Sequence, residues 1–172
     1  MRKLNNSELK RITVDEFKKT KKYPIIVILD NIRSAHNVGS IFRTCDAFLI
    51  KKIYLCGITP QPPSNEIRKS ALGATNSVEW SYEKDTKDVI RLLKQEGYHV
   101  VGVEQAKDST KLEEFNTDNP TVLIFGHEVD GISQEIINIC DDIVEIPQYG
   151  TKHSLNISVC AGLVIYKTMT LL

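Results

Sequence analysis

The sequence predicts one α/β domain built on a mostly parallel sheet flanked by helices. Short apolar runs rich in β-branched residues alternate with segments of helical periodicity, which is the order expected of strand–helix–strand units. The 172 residues are enough for a single domain with a sizeable core. A content of 41% hydrophobic and 26% charged residues is ordinary for a globular protein and excludes wholesale disorder.

The first half of the chain supplies the first strands and helices. The run YPIIVILD (23–30) predicts a buried strand, and NVGSIFRTCDAF (37–48) predicts a helix that follows a loop. KKIYLCGI (51–58) predicts the second strand, ahead of a Pro-rich loop. A short helix over 66–72 and a short strand at SVEW (77–80) come next.

The second half continues the alternation. In residues 85–97, apolar side chains at helical spacing predict a helix that ends at Gly97. Pro147 is expected to stop the last strand, because proline has no amide to donate. The other predicted elements are strands over 98–104, 120–126 and 142–147 and helices over 133–141 and 154–170.

Charge is unevenly distributed, although the formal net charge is zero. Residues 1–22 hold eight Lys and Arg against three acidic residues, so a basic N-terminal segment precedes a single domain over 23–172. Such a segment indicates a contact for polyanions, although a solvated surface helix has the same composition.

The sequence gives no support for a membrane or metal role. The longest apolar run is roughly half of the ~20 residues that a membrane span needs. The four cysteines show neither CxxC nor metal-ligand spacing, and no signal peptide is present. We therefore expect a cytoplasmic protein with reduced thiols, no membrane contact and no metal.

Polar side chains follow three of the predicted strands. In open α/β sheets, ligands bind beyond the carboxyl ends of the strands. The three segments at such ends are LDNIRSAHNVGSIFR, IFGHEVDGIS and IPQYGTKHSLN.

In the first segment, Asn37 can cap a helix and Gly39 lets another group approach the backbone. Arg43 lies six residues after Asn37 and can reach back toward the helix mouth, where a guanidinium suits phosphate or ribose oxygens. A capped helix with a surface arginine explains the same residues.

The second segment places Gly126, Glu128 and Gly131 in a G-x-E-x-x-G frame after a strand. Gly126 would allow a ligand to lie against bare backbone, and Glu128 would accept hydrogen bonds or position a loop. A plain turn with a solvated glutamate is the alternative.

The third segment has Ser154 and Asn156 at the mouth of an apolar helix. Ser154 is either an N-cap or a ligand-handling group, whereas a buried Asn156 needs partners. Further along, Ser158, Ala161 and Gly162 form a ridge of small residues suited to close helix packing, including packing across a dimer interface.

Common nucleotide and hydrolase motifs are absent from the sequence: there is no G-x-G-x-x-G, P-loop or H-E-x-x-H. Instead, NVGSIFRT, LIFGHEVDGIS and EIPQYGTKHSLNISVCAGL, in this order, resemble the three motifs of the SpoU/TrmH family of RNA ribose 2′-O-methyltransferases in the SPOUT superfamily. RKSALGATNSVEW (68–80) resembles the family's region between motifs. The resemblance covers roughly residues 25–168.

The resemblance implies a C-terminal trefoil knot, a homodimer and S-adenosyl-L-methionine bound in the knot. It implies cofactor contacts at Val103, Gly126, Ile146 and Leu155, and catalytic roles for Arg43, Glu128, Ser154 and Asn156. It further implies substrate contacts at Asn37, Arg43 and Lys152.

The expected reaction is methyl transfer to a ribose 2′-OH of tRNA or rRNA, with a guanosine of the tRNA D-loop preferred. Because the pKa of arginine exceeds about 12, we expect Arg43 to orient and polarise the hydroxyl, with an RNA phosphate assisting in accepting the proton. Two other functions fit the same motifs: a non-catalytic RNA-binding module with this fold, and an RNA base methyltransferase.

Overall fold

The computed structural model describes residues 1–172, with the side chain of residue 6 left out. Seven strands form one sheet in the order β3-β2-β1-β6-β4-β7-β5, and every pairing between them is parallel. This confirms the predicted α/β architecture. The strands are β1 (Tyr23–Asp30), β2 (Ile50–Cys56), β3 (Glu79–Glu83), β4 (His99–Val103), β5 (Thr110–Lys111), β6 (Thr121–Phe125) and β7 (Asp142–Glu145).

Helices cover both faces of the sheet, which explains the unbroken apolar run of β1. Ile25, Val27 and Leu29 belong to one core cluster, whereas Ile26 and Ile28 belong to a second cluster on the opposite face. A central parallel strand is buried on both sides, so no polar alternation is required. The helices are α1 (Val14–Lys19), α2 (Ala35–Ala47), α3 (Asn65–Ala71), α4 (Ala74–Ser77), α5 (Thr86–Gln95), α6 (Gln134–Ile137) and α7 (Ile157–Met169).

Two helix beginnings differ from the predictions. Helix α2 starts two residues earlier than expected because the Ser34 side chain accepts a hydrogen bond from the Asn37 amide, so Asn37 is not the cap. Helix α7 starts later than expected because Asn156, not Ser154, is its cap: the Asn156 side chain accepts from the Ser158 amide at 2.9 Å. The capping interpretation of Ser154 is therefore wrong.

Two other elements also differ from the sequence prediction, and the end of a third agrees with it. Helix α6 is shorter than the expected 133–141, because the Asp141 amide is drawn to the Val100 carbonyl of the sheet. The strand expected at 77–80 lies at Glu79–Glu83, after α4. The predicted end of α5 is confirmed, since Gly97 follows the helix with φ +84°.

The N-terminal segment contains an unpredicted helix, α1. Thr13 and Glu16 form a capping box at its start, and Phe17 is buried in the core. The Lys22 ammonium lies 4.4 Å from the centre of the Phe17 ring. Part of the basic segment therefore packs onto the domain.

Within the described part of the chain, no helix has both the length and the apolar character needed to cross a bilayer. Among the same residues, no group of three or more His, Cys, Asp or Glu side chains is arranged to hold a metal ion.

Candidate functional site

A cavity of about 480 Å³ opens beyond the carboxyl ends of β4, β6 and β7, where they face the start of α7. This is within the range of small-molecule sites. Seven of the predicted site residues line it: Val103, Gly126, Glu128, Ile146, Ser154, Leu155 and Asn156.

Glu128 holds the loop that leads into α2. Its carboxylate accepts hydrogen bonds from the amides of Arg33 at 2.9 Å and Ser34 at 3.0 Å. It also accepts one from the Asn37 side chain at 3.3 Å. The alternative of a plain turn with a solvated glutamate does not hold, because this carboxylate connects two motifs 91 to 95 residues apart.

These bonds also set the protonation state of Glu128. Partial burial raises the pKa of its carboxyl. The hydrogen bonds from the amides of Arg33 and Ser34 and from the Asn37 side chain lower it, and the resulting pKa lies below the usual value for glutamate. Glu128 is therefore a charged positioning group at neutral pH.

Asn37 and Asn156 extend the connection to the third motif. The Asn156 side-chain amide donates to the Asn37 side-chain oxygen at 3.2 Å, while the Asn156 oxygen caps α7. Asn156 thus both caps a helix and links two segments. Glu128, Asn37 and Asn156 form a continuous hydrogen-bonded chain, which we call the motif bridge.

Two glycines allow close backbone approach near this bridge. A Cβ at Gly126 would lie 2.5 Å from the Ile132 nitrogen, so the space beside its α-carbon belongs to the folded-back loop. The Cβ side of Gly126 is therefore closed to a ligand, although Gly126 does line the cavity. A Cβ at Gly39 would lie 2.5 Å from the Ile67 carbonyl of α3, so the approaching group at Gly39 is a neighbouring helix.

Ser154 is exposed and lines the cavity, and its hydroxyl makes no hydrogen bond within the described residues. It is therefore free to contact a ligand. Lys152 is also exposed, but it lies outside the lining.

Arg43 lies apart from the cavity of its own chain. Its exposed side chain lines a second groove, of about 730 Å³, between the N-terminal segment, α2 and the turn from α3 to α4. Lys10 and Arg11 line the same groove, and none of the three cations forms an ion pair in the part of the chain described. One subunit therefore brings together Asn37, Glu128 and Asn156 but does not add Arg43.

Two residues of the site were missed from the sequence. The Glu104 carboxylate accepts from the Ile132 amide at 3.0 Å and from the Gln105 amide at 2.8 Å. The Gln105 side chain donates to the His153 carbonyl at 2.6 Å. Their position at the end of a predicted strand was the available signal.

The cavity has an acidic lining. Glu104, Glu128, Asp130 and Glu145 line it, together with two histidines, and no Lys or Arg appears among its described lining residues. Apolar groups such as Leu155 and Ile146 complete the walls. Such a cavity favours a ligand with an apolar body and positive charge.

Cys160 also lines the cavity, where burial raises the pKa of its thiol to about 11. Its thiol is neutral at physiological pH, and a neutral thiol is a poor nucleophile.

Comparison with known proteins adds to this geometry. Residues 24–166 match the model of a family described as the SpoU rRNA Methylase family. The tRNA (guanosine(18)-2′-O)-methyltransferase of Aquifex aeolicus is 35% identical over 146 residues, which cover 83% of this chain and 67% of the relative.

Solved structures agree with the sequence match. The TrmH/SpoU tRNA modifying enzyme of A. aeolicus superposes with a TM-score of 0.82 at 27% identity, covering 92% of this chain and 81% of that one. The AdoMet-bound rRNA methyltransferase of Sinorhizobium meliloti gives a TM-score of 0.80 at 28% identity, with coverages of 88% and 58%.

Proposed function

Because this chain belongs to the SpoU rRNA methylase family, we propose that it transfers a methyl group from S-adenosyl-L-methionine to a ribose 2′-hydroxyl of RNA. The observation that carries the proposal is the motif bridge: Glu128, Asn37 and Asn156 join three distant segments at the rim of one cavity.

The cavity residues fit the cofactor. The four expected cofactor positions, Val103, Gly126, Ile146 and Leu155, all belong to the lining. The acidic lining suits a molecule that carries a sulfonium and an ammonium group. When bound, the cofactor supplies an electrophilic methyl group on sulfur.

The chain's own residues then position the ribose. In the transfer, the 2′-oxygen forms a bond to the methyl carbon, the carbon–sulfur bond breaks, and the 2′-proton leaves. The free hydroxyl of Ser154, beside Asn156, is placed to orient the ribose over the cavity. Glu128 acts indirectly, because its hydrogen-bonding capacity is already used to hold the entrance of α2.

Arg43 orients and polarises the 2′-hydroxyl in this proposal. A guanidinium remains charged at every pH the protein meets, so it cannot itself remove the proton. An RNA phosphate bound beside Arg43 assists as the acceptor. The unpaired cations of the Arg43 groove support phosphate binding there.

A homodimer completes the site. Helix α7 exposes Val159, Leu163 and Tyr166 at 52%, 47% and 54%, which is an apolar face without a partner in one chain. Ala161, by contrast, faces the core and Gly162 has open space beside it, so only part of the small-residue ridge is available to a second copy. Because Arg43 is outside the cavity of its own chain, a second copy that covers α7 supplies the arginine.

A trefoil knot is proposed for the C-terminal part. Strand β7 is separated from β1 by β4 and β6, yet α7 packs against α2, β1 and β6. The chain after β7 must therefore cross the carboxyl ends of two strands before α7 begins. Such a crossing is required for threading the terminal helix through an earlier loop.

The preferred substrate is a guanosine in the D-loop of tRNA. This follows from the 35% identity to the A. aeolicus tRNA (guanosine(18)-2′-O)-methyltransferase. The basic N-terminal segment, which supplies Lys10 and Arg11 to the Arg43 groove, is the proposed RNA contact.

The test uses unmodified tRNA transcripts and cofactor with a labelled methyl group. We expect incorporation into one D-loop guanosine, and loss of incorporation when that nucleotide carries 2′-hydrogen in place of 2′-hydroxyl. Incorporation that persists on the deoxy substrate would identify a base methyltransferase. Absence of both incorporation and cofactor binding in calorimetry would leave an RNA-binding module.

A further inference from the structure

The segment 147–155 runs between β7 and α7 and forms one wall of the cavity through Gln148, His153, Ser154 and Leu155. Most of it is exposed; Tyr149, for example, retains 90% of its accessible surface. Both of its ends are fixed, by the β7 ladder on one side and by the Asn156 cap on the other. The middle of the segment therefore depends on contacts other than β7 and the α7 cap.

One side chain provides that anchoring. Among the described residues, the only hydrogen bond between 147–155 and the rest of the chain runs from the Gln105 side-chain amide to the His153 carbonyl, at 2.6 Å. Gln105 follows β4, on another wall of the same cavity. The bond thus joins two walls across a sequence separation of 48 residues.

The base of this latch is itself fixed. The backbone amide of Gln105 donates to one carboxylate oxygen of Glu104. The other oxygen accepts from the backbone amide of Ile132, in the loop after β6. Glu104 also fills the space where a Gly131 Cβ would lie, at φ +67°. Gln105 is therefore held in place by its neighbours. Segment 147–155, in contrast, has no other hydrogen bond to the rest of the described chain that would keep it against the cavity.

We propose that Gln105 is a positioning residue that latches segment 147–155 over the cofactor cavity, and that breaking this one bond opens the cavity for exchange of cofactor and product. The inference rests on the proposed function. A neutral, exposed hydrogen bond of this kind has a small net free energy, so it breaks readily and suits a lid that must open in each turnover.

The test compares Gln105→Ala and Gln105→Glu with the wild-type protein. The first removes the donor, and the second keeps the size but places a carboxylate against the His153 carbonyl. Gln134→Ala is the matched control, since Gln134 is also an exposed glutamine with one side-chain bond, to Asn138 at 2.8 Å. Neither Gln134 nor Asn138 belongs to the cavity lining.

Three readouts separate a latch from a general structural role. Tryptic cleavage after Lys152, within the segment, should accelerate roughly three- to tenfold in both Gln105 variants, because the loss of one hydrogen bond lets the segment open more often. Cofactor affinity should weaken by a similar factor through faster dissociation, with the melting temperature unchanged. The KM for cofactor should rise while kcat at saturating cofactor does not fall.

Unchanged cleavage after Lys152, or equal acceleration in Gln134→Ala, would overturn the latch. Failure of the wild-type protein to bind cofactor would instead overturn the proposed function, since the cleavage measurement reports on the segment without cofactor.

Discussion

The cofactor cavity and the Arg43 groove differ in charge and in internal order. The cavity has an acidic lining. Its walls are joined by the hydrogen bonds that Glu104 accepts from Ile132 and that Gln105 donates to His153, while Glu128 accepts from the loop before α2. The groove is lined by the exposed cations Lys10, Arg11 and Arg43, none of which forms an ion pair among the residues described. The walls of the cavity are thus formed within one chain, whereas the groove presents cations without ion-pair partners among the described residues.

This difference indicates a division of labour. A cationic cofactor finds a finished site before RNA arrives, because the acidic lining requires no partner. The groove cations form no ion pair among the described residues, and in the proposed function RNA phosphates supply their counter-charge. Substrate and cofactor functions should therefore separate under mutation.

Arg43→Ala should have the largest effect. We expect the methyl-transfer rate to fall by about 10²–10³, the loss typical of a group that stabilises charge in a transition state, with cofactor affinity unchanged. Arg91→Ala is the control, because Arg91 is an exposed arginine on α5 paired with Asp88. Single-turnover kinetics and calorimetry measure the two quantities.

Arg43→Lys sharpens the same test. Lysine keeps the charge but loses the planar fork that contacts two oxygens at once. Full activity in this variant would contradict the bidentate part of the role assigned to Arg43.

Gly126→Ala should damage the cavity alone. The added methyl would meet the Gly131–Ile132 backbone, so we expect destabilisation of about 1–3 kcal/mol or more in urea unfolding, together with weaker cofactor binding. Gly150→Ala is the matched control, since nothing lies within 4 Å of a Cβ there. Equal stability of the two variants would show that the loop accommodates the methyl.

Glu128→Gln should break the connection between the cavity and α2. Loss of the charged acceptor for the Arg33 and Ser34 amides should cost about 1–3 kcal/mol at neutral pH. Glu114→Gln provides the control, because Glu114 is exposed and its side chain makes no hydrogen bond within the described residues.

The same substitution has a pH signature. Because the folded pKa of Glu128 lies below its usual value, its stabilising contribution is complete above the unfolded pKa and is lost as pH falls through the folded pKa. The difference between wild type and Glu128→Gln should therefore shrink below about pH 4.3, the ordinary value for glutamate. A difference that stays constant down to pH 2 would contradict this assignment.

The smallest effect belongs to the rim of the groove. Lys10→Ala and Arg11→Ala should each weaken RNA binding a few-fold and reduce the slope of log affinity against log salt by about 0.7–0.9, one phosphate contact each. Lys107→Ala, an exposed lysine outside both sites, is the control. An unchanged slope would remove the groove from the RNA path.

The sequence predicted the sheet more accurately than the site. Strand β1 was predicted at its observed bounds, because the six residues from Ile25 to Asp30 are buried and five of them are apolar, packed between two helical layers. Helix starts were less predictable, because Ser34 and Asn37 are both good caps. Ser34 is the cap because the Asn37 side chain is bound instead to Glu128, which is distant in sequence.

Glu104 and Gln105 show a second reason for the limits of sequence reasoning. Their partners Ile132 and His153 lie 28 and 48 residues away, so no local pattern marks the contacts. The resemblance implied site roles for Asn37, Glu128 and Asn156, and hydrogen bonds join these three side chains in the structure. The sequence did not predict that Arg43 lies outside the cavity of its own chain, because a single-chain sequence pattern does not specify which copy an exposed arginine serves.

A calorimetric titration of S-adenosyl-L-methionine into wild type and a Lys10→Ala/Arg11→Ala/Arg43→Ala variant tests the division of labour most directly. We expect dissociation constants that agree within about twofold, a difference of about 0.4 kcal/mol, because the groove cations take no part in the cofactor site. Binding weakened tenfold or more in the variant would contradict it.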